Sequence, residues 1–301
     1  MKLAAIDIGS NAIRLQITKV LEYEQKITFK KLQYVRFPLR LGQDVFALKH
    51  ISEERSEKFM KLMQAYKTLM DLYEIDQYYG CATSAMREAE NGKQLAERVR
   101  REVGLKINII TGTHEAEMIN EVISIGLDKK TYLHIDVGGG STELNFYYQR
   151  KKVRSKSFKI GSVRSIGRHD SPAAWKEMTS WVQDQLRGHH EEVIAIGTGG
   201  NINKLYELTP KRKARKLSLD QLKSTQTSLK QLSQEELLNR LQLNPDRADV
   251  ILPASEIYIH AMKAAGAQLI KVPDVGLKDG INYYLFEKYY PRKGKVFVKN
   301  D

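Results

Sequence analysis

A chain of 301 residues with 42% hydrophobic and 28% charged side chains has room for two packed cores and is too apolar to be disordered. The single cysteine, Cys81, excludes a disulfide framework. No apolar run of about 18 residues is present, and Asp7 would fall inside any signal core, so a soluble, cytoplasmic protein is expected. Lys and Arg number 49 against 36 acids, a net +13 that favours a polyanionic partner, yet no helix-turn-helix, zinc-finger or RNP-type signature points to nucleic acid.

In chain order, residues 2–9 and 12–20 read as a strand hairpin, followed by a strand near 26–35 that runs into Arg36-Phe-Pro-Leu-Arg40-Leu-Gly42. Ser52 caps a helix to about Tyr73, with Glu53 and Glu54 in its first turn and Phe59, Leu62, Met63, Tyr66, Leu69, Met70 and Tyr73 at helical spacing as core. Residues 77–82 form a strand, and Ala82-Thr-Ser-Ala-Met-Arg87-Glu-Ala is a strand-to-helix junction where hydroxyls and Arg87 could meet an anion. A helix near 91–103 and a strand at Lys106–Thr111 lead to Gly112-Thr-His-Glu115-Ala-Glu117, which opens the next helix. An acid at that position also suits a helix dipole with no further role.

The stretch from Tyr132 to Tyr148 carries a strand, the turn Gly138-Gly139-Gly140-Ser141 and a second strand. Three glycines permit a sharp bend and positive φ, so several N–H groups could point at one phosphate, with Ser141 and Thr142 adding hydroxyls. Asp136 and Glu143 flank the turn at a spacing suited to a divalent cation. A strand from Val153 to Ile160 and a helix near 172–187 follow; His169-Asp170 and His189-His190 read as solvent loops. Val193-Ile-Ala-Ile-Gly-Thr-Gly199-Gly200-Asn201 is an apolar strand entering a glycine turn and a helix, a second phosphate loop that lacks the ending of a P-loop. Lys211-Arg-Lys-Ala-Arg-Lys216 is a basic loop, and helices near 218–231, 233–240 and 245–265, a strand at 268–272, a closing helix and a frayed tail from Pro291 complete the chain.

The segment Asp7-Ile-Gly-Ser10-Asn11-Ala-Ile-Arg14 overlays Asp136-Val-Gly-Gly139-Gly140-Ser141-Thr-Glu143 without a gap, so the chain is duplicated. A repeat of that length is too long for a solenoid unit and implies two similar domains, expected at 1–124 and 125–285 with the 286–301 segment returning to the first. Arg14 is expected to answer Glu143. The architecture resembles the actin, sugar-kinase and Hsp70 superfamily: an α/β fold of two RNase H-like domains with an interdomain cleft.

Within that superfamily, Asp7–Arg14, Ala82–Ala89, Ile135-Asp-Val-Gly-Gly-Gly-Ser-Thr-Glu-Leu144, Gly197-Thr-Gly-Gly200 and Arg247-Ala-Asp-Val-Ile-Leu-Pro253 resemble the exopolyphosphatase/guanosine pentaphosphate phosphohydrolase family over nearly the whole chain. The resemblance implies Mg²⁺-assisted hydrolysis of a terminal phosphate from inorganic polyphosphate, or from pppGpp, in a short two-domain member. It places the catalytic Glu on Glu115, phosphate binding on Ser10, Asn11, Arg14, Arg87, Gly139, Gly140, Ser141, Gly199 and Gly200, and metal binding on Asp136 and Glu143. His114 stands where the family has an acid and Glu117 where it has an arginine, an added carboxylate expected to repel phosphate and raise the pKa of Glu115. Lys278 and Asp279 are milder departures. The partners implied are polyphosphate or guanosine penta- or tetraphosphate, without membrane or nucleic acid, and a homodimer is left open. The rival readings are a non-catalytic binder of polyphosphate or alarmone and a nucleotide-dependent kinase.

Overall fold

A computed structural model describes residues 1–24, 26–166, 171–188 and 191–290, with the backbone of 296–297. His169-Asp170, His189-His190 and the tail from Pro291 to 295 and beyond 297 lie outside the described residues. The chain forms two compact units, Met1–Val122 with Leu277–Asp301, and Ile123–Gly276.

The first unit opens with β1 (Lys2–Ile8), β2 (Ile13–Tyr23) and β3 (Lys26–Phe37), an antiparallel meander. After α1 (Leu41–Leu48) and α2 (Glu53–Leu72), β4 (Gln77–Ala82) pairs parallel to β1; α3 (Ser84–Glu88) and α4 (Gly92–Val103) precede β5 (Ile107–Ile109), parallel to β4, and α5 (Gly112–Ser124) follows. As predicted, Ser52 caps α2 by accepting from the Arg55 N–H; of the expected core residues, Phe59, Met63, Tyr66 and Met70 are buried, whereas Leu62, Leu69 and Tyr73 are only partly so. The short α1 escaped the sequence reading because its N-cap is Arg40 in left-handed geometry, with no side-chain cap to announce it.

The second unit repeats the plan. A meander of β6 (Thr131–Val137), β7 (Thr142–Tyr148) and β8 (Lys151–Phe158) is followed by α6 (Pro172–Leu186), then β9 (Val193–Thr198) parallel to β6 and α7 (Gly200–Leu208). β10 (Lys216–Ser218), α8 (Leu219–Lys230), α9 (Gln234–Asn239), α10 (Pro245–Ala264) and β11 (Leu269–Lys271) complete it. The three-residue β10 ends the basic run that the sequence presents as loop. From the meander outward, the sheets run β3-β2-β1-β4-β5 and β8-β7-β6-β9-β11, extended by a two-residue β12 (Val296–Phe297) beside β3 and by β10 beside β11. These are the two RNase H-like halves expected from the duplication.

Strand alternation sorts the second sheet into two chemically distinct faces. Leu133, Ile135, Val137, Leu144 and Ala195 enter a core with Ile251, Ile257, Tyr258 and Met262 of α10, each large aliphatic contributing about 1.5–3 kcal/mol. The intervening positions, His134, Asp136, Glu143, Asn145 and Thr198, are polar.

The closing helix, α11 (Leu277–Tyr289), was expected to join the first domain only from residue 286; the whole of it belongs to the first unit. Polar anchoring contributes to this: Gln16 of β2 donates to Asp279 at 3.1 Å, and Asn282 of α11 donates to Thr18 of β2 at 3.2 Å. Gly280 permits the close approach of α11 to α5, because a Cβ there would lie 2.3 Å from the Met118 carbonyl oxygen. Gly280→Ala should therefore destabilise the protein by about 1–3 kcal/mol in spite of better helix propensity, whereas Gly276→Ala, with nothing within 4 Å, should change little. Urea unfolding of the two variants checks this; equal midpoints would mean that α11 and α5 are not closely packed.

Candidate active site

In the first unit, the hairpin turn between β1 and β2 is closed by the Gly9 N–H donating to the Ala12 carbonyl. The following segment straps it down: Gly42 donates to the Ser10 carbonyl at 2.8 Å and Arg40 to the Asn11 carbonyl at 3.0 Å. The Ser10 hydroxyl pairs with that of Ser84 at 2.8 Å, joining the turn to the start of α3. Asp7 and Arg14 face each other in register, and their side chains form an ion pair at 2.9 Å. Burial opposes the Arg14 charge, but Asp7 and Tyr34 outweigh it and hold the guanidinium above its usual pKa. Arg14 thus has an acid of its own unit as partner, where the overlay had set it against Glu143.

Glu115 lies in the first turn of α5, half-buried, its N–H bonded to the Thr111 carbonyl and one carboxylate oxygen shielded from water. Arg87 donates to the Ile110 carbonyl at 2.7 Å, directly before that helix. Cys81, the register partner of Asp7, locates the two acids: burial first, then Asp7 and Glu115, push its thiol well above its ordinary pKa. Glu117, two positions beyond Glu115, projects from another side of the helix. It is exposed, 3.5 Å from the His114 ring nitrogen, so solvent and His114 are its neighbours.

The second unit uses the same turn with different chemistry. The Gly138 N–H donates to the Ser141 carbonyl at 2.9 Å, matching Gly9 and Ala12. All three glycine carbonyls are then taken from behind: Gly138 by the Ser162 N–H, Gly139 by the Val163 and Arg164 N–H groups, and Gly140 by the Arg164 Nε at 2.7 Å. A trans peptide points its C=O and N–H in opposite directions, so tying these carbonyls back aims the next N–H groups forward. Among the described residues nothing accepts from the Gly139 and Gly140 N–H groups. The three glycines permit positive φ, but none of them is among the residues that adopt it. The glycine that close approach demands is Gly161, where a Cβ would meet the Gly139 oxygen at 2.5 Å.

Asp136 and Glu143 are register partners across β6 and β7, which puts two acids side by side where the first unit has an acid and an arginine. Glu143 is buried and accepts from the Ser141 and Ser157 hydroxyls at 2.7 and 2.8 Å. The Ser141 hydroxyl, expected to meet phosphate, thus serves Glu143, and that of Thr142 donates to the Ile160 carbonyl. The second loop does need positive φ: Gly199 has φ 91°, with Asp136 Oδ1 3.0 Å from where its Cβ would be. Arg247 crosses Gly200 so closely that a Cβ would lie 2.8 Å from its Nη2. It also donates to Asn201, which in turn donates to Ser162 at 3.2 Å. Arg164 and Arg247 are thus two cations at the glycine loops that sequence reasoning did not assign; the Arg247-Ala-Asp string was the available signal for one.

A buried polar chain backs these loops. Ser155 donates to Asn145 Oδ1 at 2.7 Å, Asn145 Nδ2 lies 2.9 Å from His134 Nδ1, and His134 Nε2 lies 2.8 Å from the Thr198 hydroxyl. The Tyr258 hydroxyl donates to the Thr198 carbonyl at 2.7 Å and accepts from the Val137 N–H at 3.4 Å, bracing the ends of β9 and β6 that lead into the two loops. Burial and then the charge of Asp136 raise the Tyr258 pKa well above its usual value.

Comparison with known proteins places this arrangement. The model of the Ppx/GppA phosphatase family matches residues 20–289. A bifunctional 3-dehydroquinate synthase/phosphatase from Fusobacterium nucleatum is 28% identical over 298 residues, 90% of this chain but 44% of the relative, so the chain spans less than half of that protein. The crystal structure of the Aquifex aeolicus Ppx/GppA family member has 26% identity and a TM-score of 0.74, covering 97% of this chain and 99% of that one. An exopolyphosphatase from Cytophaga hutchinsonii shares the fold, with 22% identity, a TM-score of 0.82 and coverage of 96% and 98%. The paired sheets are therefore those of the actin-like fold.

Burial, reinforced by Lys152, pushes the His134 pKa from 6.5 down to about 3. The unfolded chain takes up this proton near pH 6.5 and the folded chain only near 3, so the stability that neutral His134 contributes is complete above 6.5 and is lost as pH falls through that window. The loss reaches about 1.4 kcal/mol per pH unit. Between pH 7.5 and pH 5, the stability of wild type relative to His134→Gln should fall by about 2 kcal/mol in urea unfolding. A difference that stays constant would rule out a neutral buried imidazole.

Proposed function

Because the chain belongs to the Ppx/GppA phosphatase family, we propose that it is an exopolyphosphatase, a hydrolase that releases the terminal phosphate of inorganic polyphosphate by attack of water. The observation that carries this reading is the glycine turn 138–140: its carbonyls are held from behind, and the N–H groups of Gly139 and Gly140, which meet no acceptor among the described residues, can take an anion. Arg164 at Gly140 and Arg247 at Gly200 set two permanent positive charges beside it. In phosphoryl transfer, catalysis rests mainly on such positioning and on donors aimed at the equatorial oxygens.

Within this reading, Glu115 orients the attacking water and accepts its proton. Its half-buried place at the start of α5, beside Arg87 at the Ile110 carbonyl, is suited to a base held near anionic substrate. In the second unit the amides of Gly139, Gly140 and Gly200 hold phosphate oxygens, and in the first unit Arg87 is the phosphate-binding cation. Ser10 and Asn11 contribute through backbone N–H groups, since Ser10 gives its hydroxyl to Ser84. Arg14, matched by Asp7, adds orientation more than net charge.

Mg²⁺ fits the residues present. Among the described residues no three His, Cys, Asp or Glu side chains gather into a metal cage. Mg²⁺ does not require one, since it is commonly held by one or two carboxylates with waters and substrate phosphates. Asp136, paired with Glu143, offers that donor set, Glu143 being kept in place by two serine hydroxyls. When bound there, the ion would neutralise charge on the phosphate oxygens. Asp136 and Glu143 would hold it, and Ser141 and Ser157 would keep Glu143 oriented.

Phosphate release from polyphosphate and from pppGpp, assayed in parallel without other nucleotide, tests the proposal; release from pppGpp alone would transfer the activity to the alarmone, and release from neither would leave a binding protein. Glu115→Gln should lower kcat by about 100-fold or more with KM within a few-fold, as for a base that acts on water in the transition state. Wild-type turnover by that variant would reduce Glu115 to a helix-start acid. Binding of long polyphosphate should also weaken steeply with salt, with a log–log slope of roughly −4 to −5 if six phosphates are neutralised, by analogy with nucleic acid. The net charge of +13 motivates this, as does the 211–216 run, whose Arg215 reaches Asn203 of α7 at 3.0 Å. A flat salt response would remove the polyanion groove.

A further inference from the structure

The chain of side chains behind the second unit's loops has a direction. The Asn145 carbonyl oxygen accepts from Ser155, so its amide nitrogen, a donor only, faces the ring. His134 Nδ1 must then accept. A neutral imidazole with Nδ1 unprotonated carries its proton on Nε2, which donates to the Thr198 hydroxyl at 2.8 Å. Having accepted there, Thr198 keeps its own proton for a further acceptor. Its register partner on the adjacent strand is Asp136, whose Oδ1 lies 3.0 Å from where a Cβ on Gly199 would be.

We propose that Ser155, Asn145, His134 and Thr198 form a directional hydrogen-bond chain that turns the Thr198 hydroxyl toward the Asp136 carboxylate, making His134 and Thr198 positioning residues for the phosphate-binding end of the second unit. The functional part of this rests on the hydrolase reading above. Core filling alone does not account for it: the gapless overlay puts Ala5 at the place of His134, so the fold accepts a small apolar side chain there. Burying His134, Asn145 and Thr198, each at 0% exposure, costs stability unless every donor finds its acceptor, and a fully satisfied chain holds one arrangement. Its last member is the residue before Gly199, whose geometry admits only glycine and whose neighbour is the carboxylate to be oriented.

The tautomer tests the direction without reference to turnover. Long-range proton–nitrogen NMR of the wild-type protein, with the His134 signals assigned by their loss in His134→Gln, should show the Nε2–H form; an Nδ1–H form would reverse the chain and overturn the proposal. For function, Thr198→Val, close in shape but lacking the hydroxyl, should lower kcat about tenfold with KM within about twofold, while Thr198→Ser stays within about threefold of wild type. His134→Leu should match Thr198→Val, their combination should be no worse than either, and His134→Gln, whose amide can place an N–H where Nε2 stands, should recover most of the activity. A purely structural role would give no such split between Ser and Val or between Gln and Leu. Wild-type kcat in Thr198→Val would overturn the positioning role even if His134→Leu failed to fold. A wild-type protein releasing phosphate from neither substrate would sink the hydrolase reading, and an Nε2–H tautomer would still support the chain's direction.

Discussion

Everything at the glycine loops depends on the planarity of the peptide group. A carbonyl and the N–H of the next residue share one plane and point opposite ways, so a donor that captures the carbonyl also aims the N–H. Ser162, Val163 and Arg164 capture the carbonyls of Gly138, Gly139 and Gly140; Gly42 and Arg40 do the same for Ser10 and Asn11. The N–H groups of Gly139 and Gly140 are thus oriented from behind, by the segment 162–164. This also explains why Gly161 must lack a side chain. A Cβ there would push the strap off the turn and release the amides it orients.

The two halves share this backbone device and differ in charge. At one register position the first hairpin has Arg14 opposite Asp7, and the second has Glu143 opposite Asp136. The first pair neutralises itself at 2.9 Å. The second gathers negative charge, which is costly in a partly buried place unless donors or a cation compensate. Two serine hydroxyls on Glu143 supply part of that compensation. The two halves keep one turn and differ in the residue opposite its aspartate, Arg14 in the first and Glu143 in the second.

Behind the turns, the polar face of the second sheet is linked to the loops by satisfied buried groups rather than by apolar packing. Tyr258 reaches from α10 to both the Val137 N–H and the Thr198 carbonyl, so a helix of the core sets the spacing of β6 and β9 where they end. Such contacts are worth modest net energy when made and more when broken. Their value lies in specificity, because apolar side chains would fill the space without fixing any orientation.

The sequence by itself determined the duplication, the order of most strands and helices, the family resemblance and the positions of the glycine turns. Each of these is a local pattern: alternation, helical spacing, Ser52 as a cap, repeated Asp and Gly at equal intervals. It left α1 and β10 unseen, because neither carries a cap or a long enough run to announce itself. Tertiary structure alone decided that α11 belongs to the first unit from Leu277, that Arg14 answers Asp7, that Ser141 serves Glu143, and that Arg164 and Arg247 stand at the loops. These assignments depend on contacts between residues far apart in the chain or on the direction a side chain takes across a sheet. A spacing in sequence carries no information about either, since the partner is selected only once the strands are in register and the helices have packed.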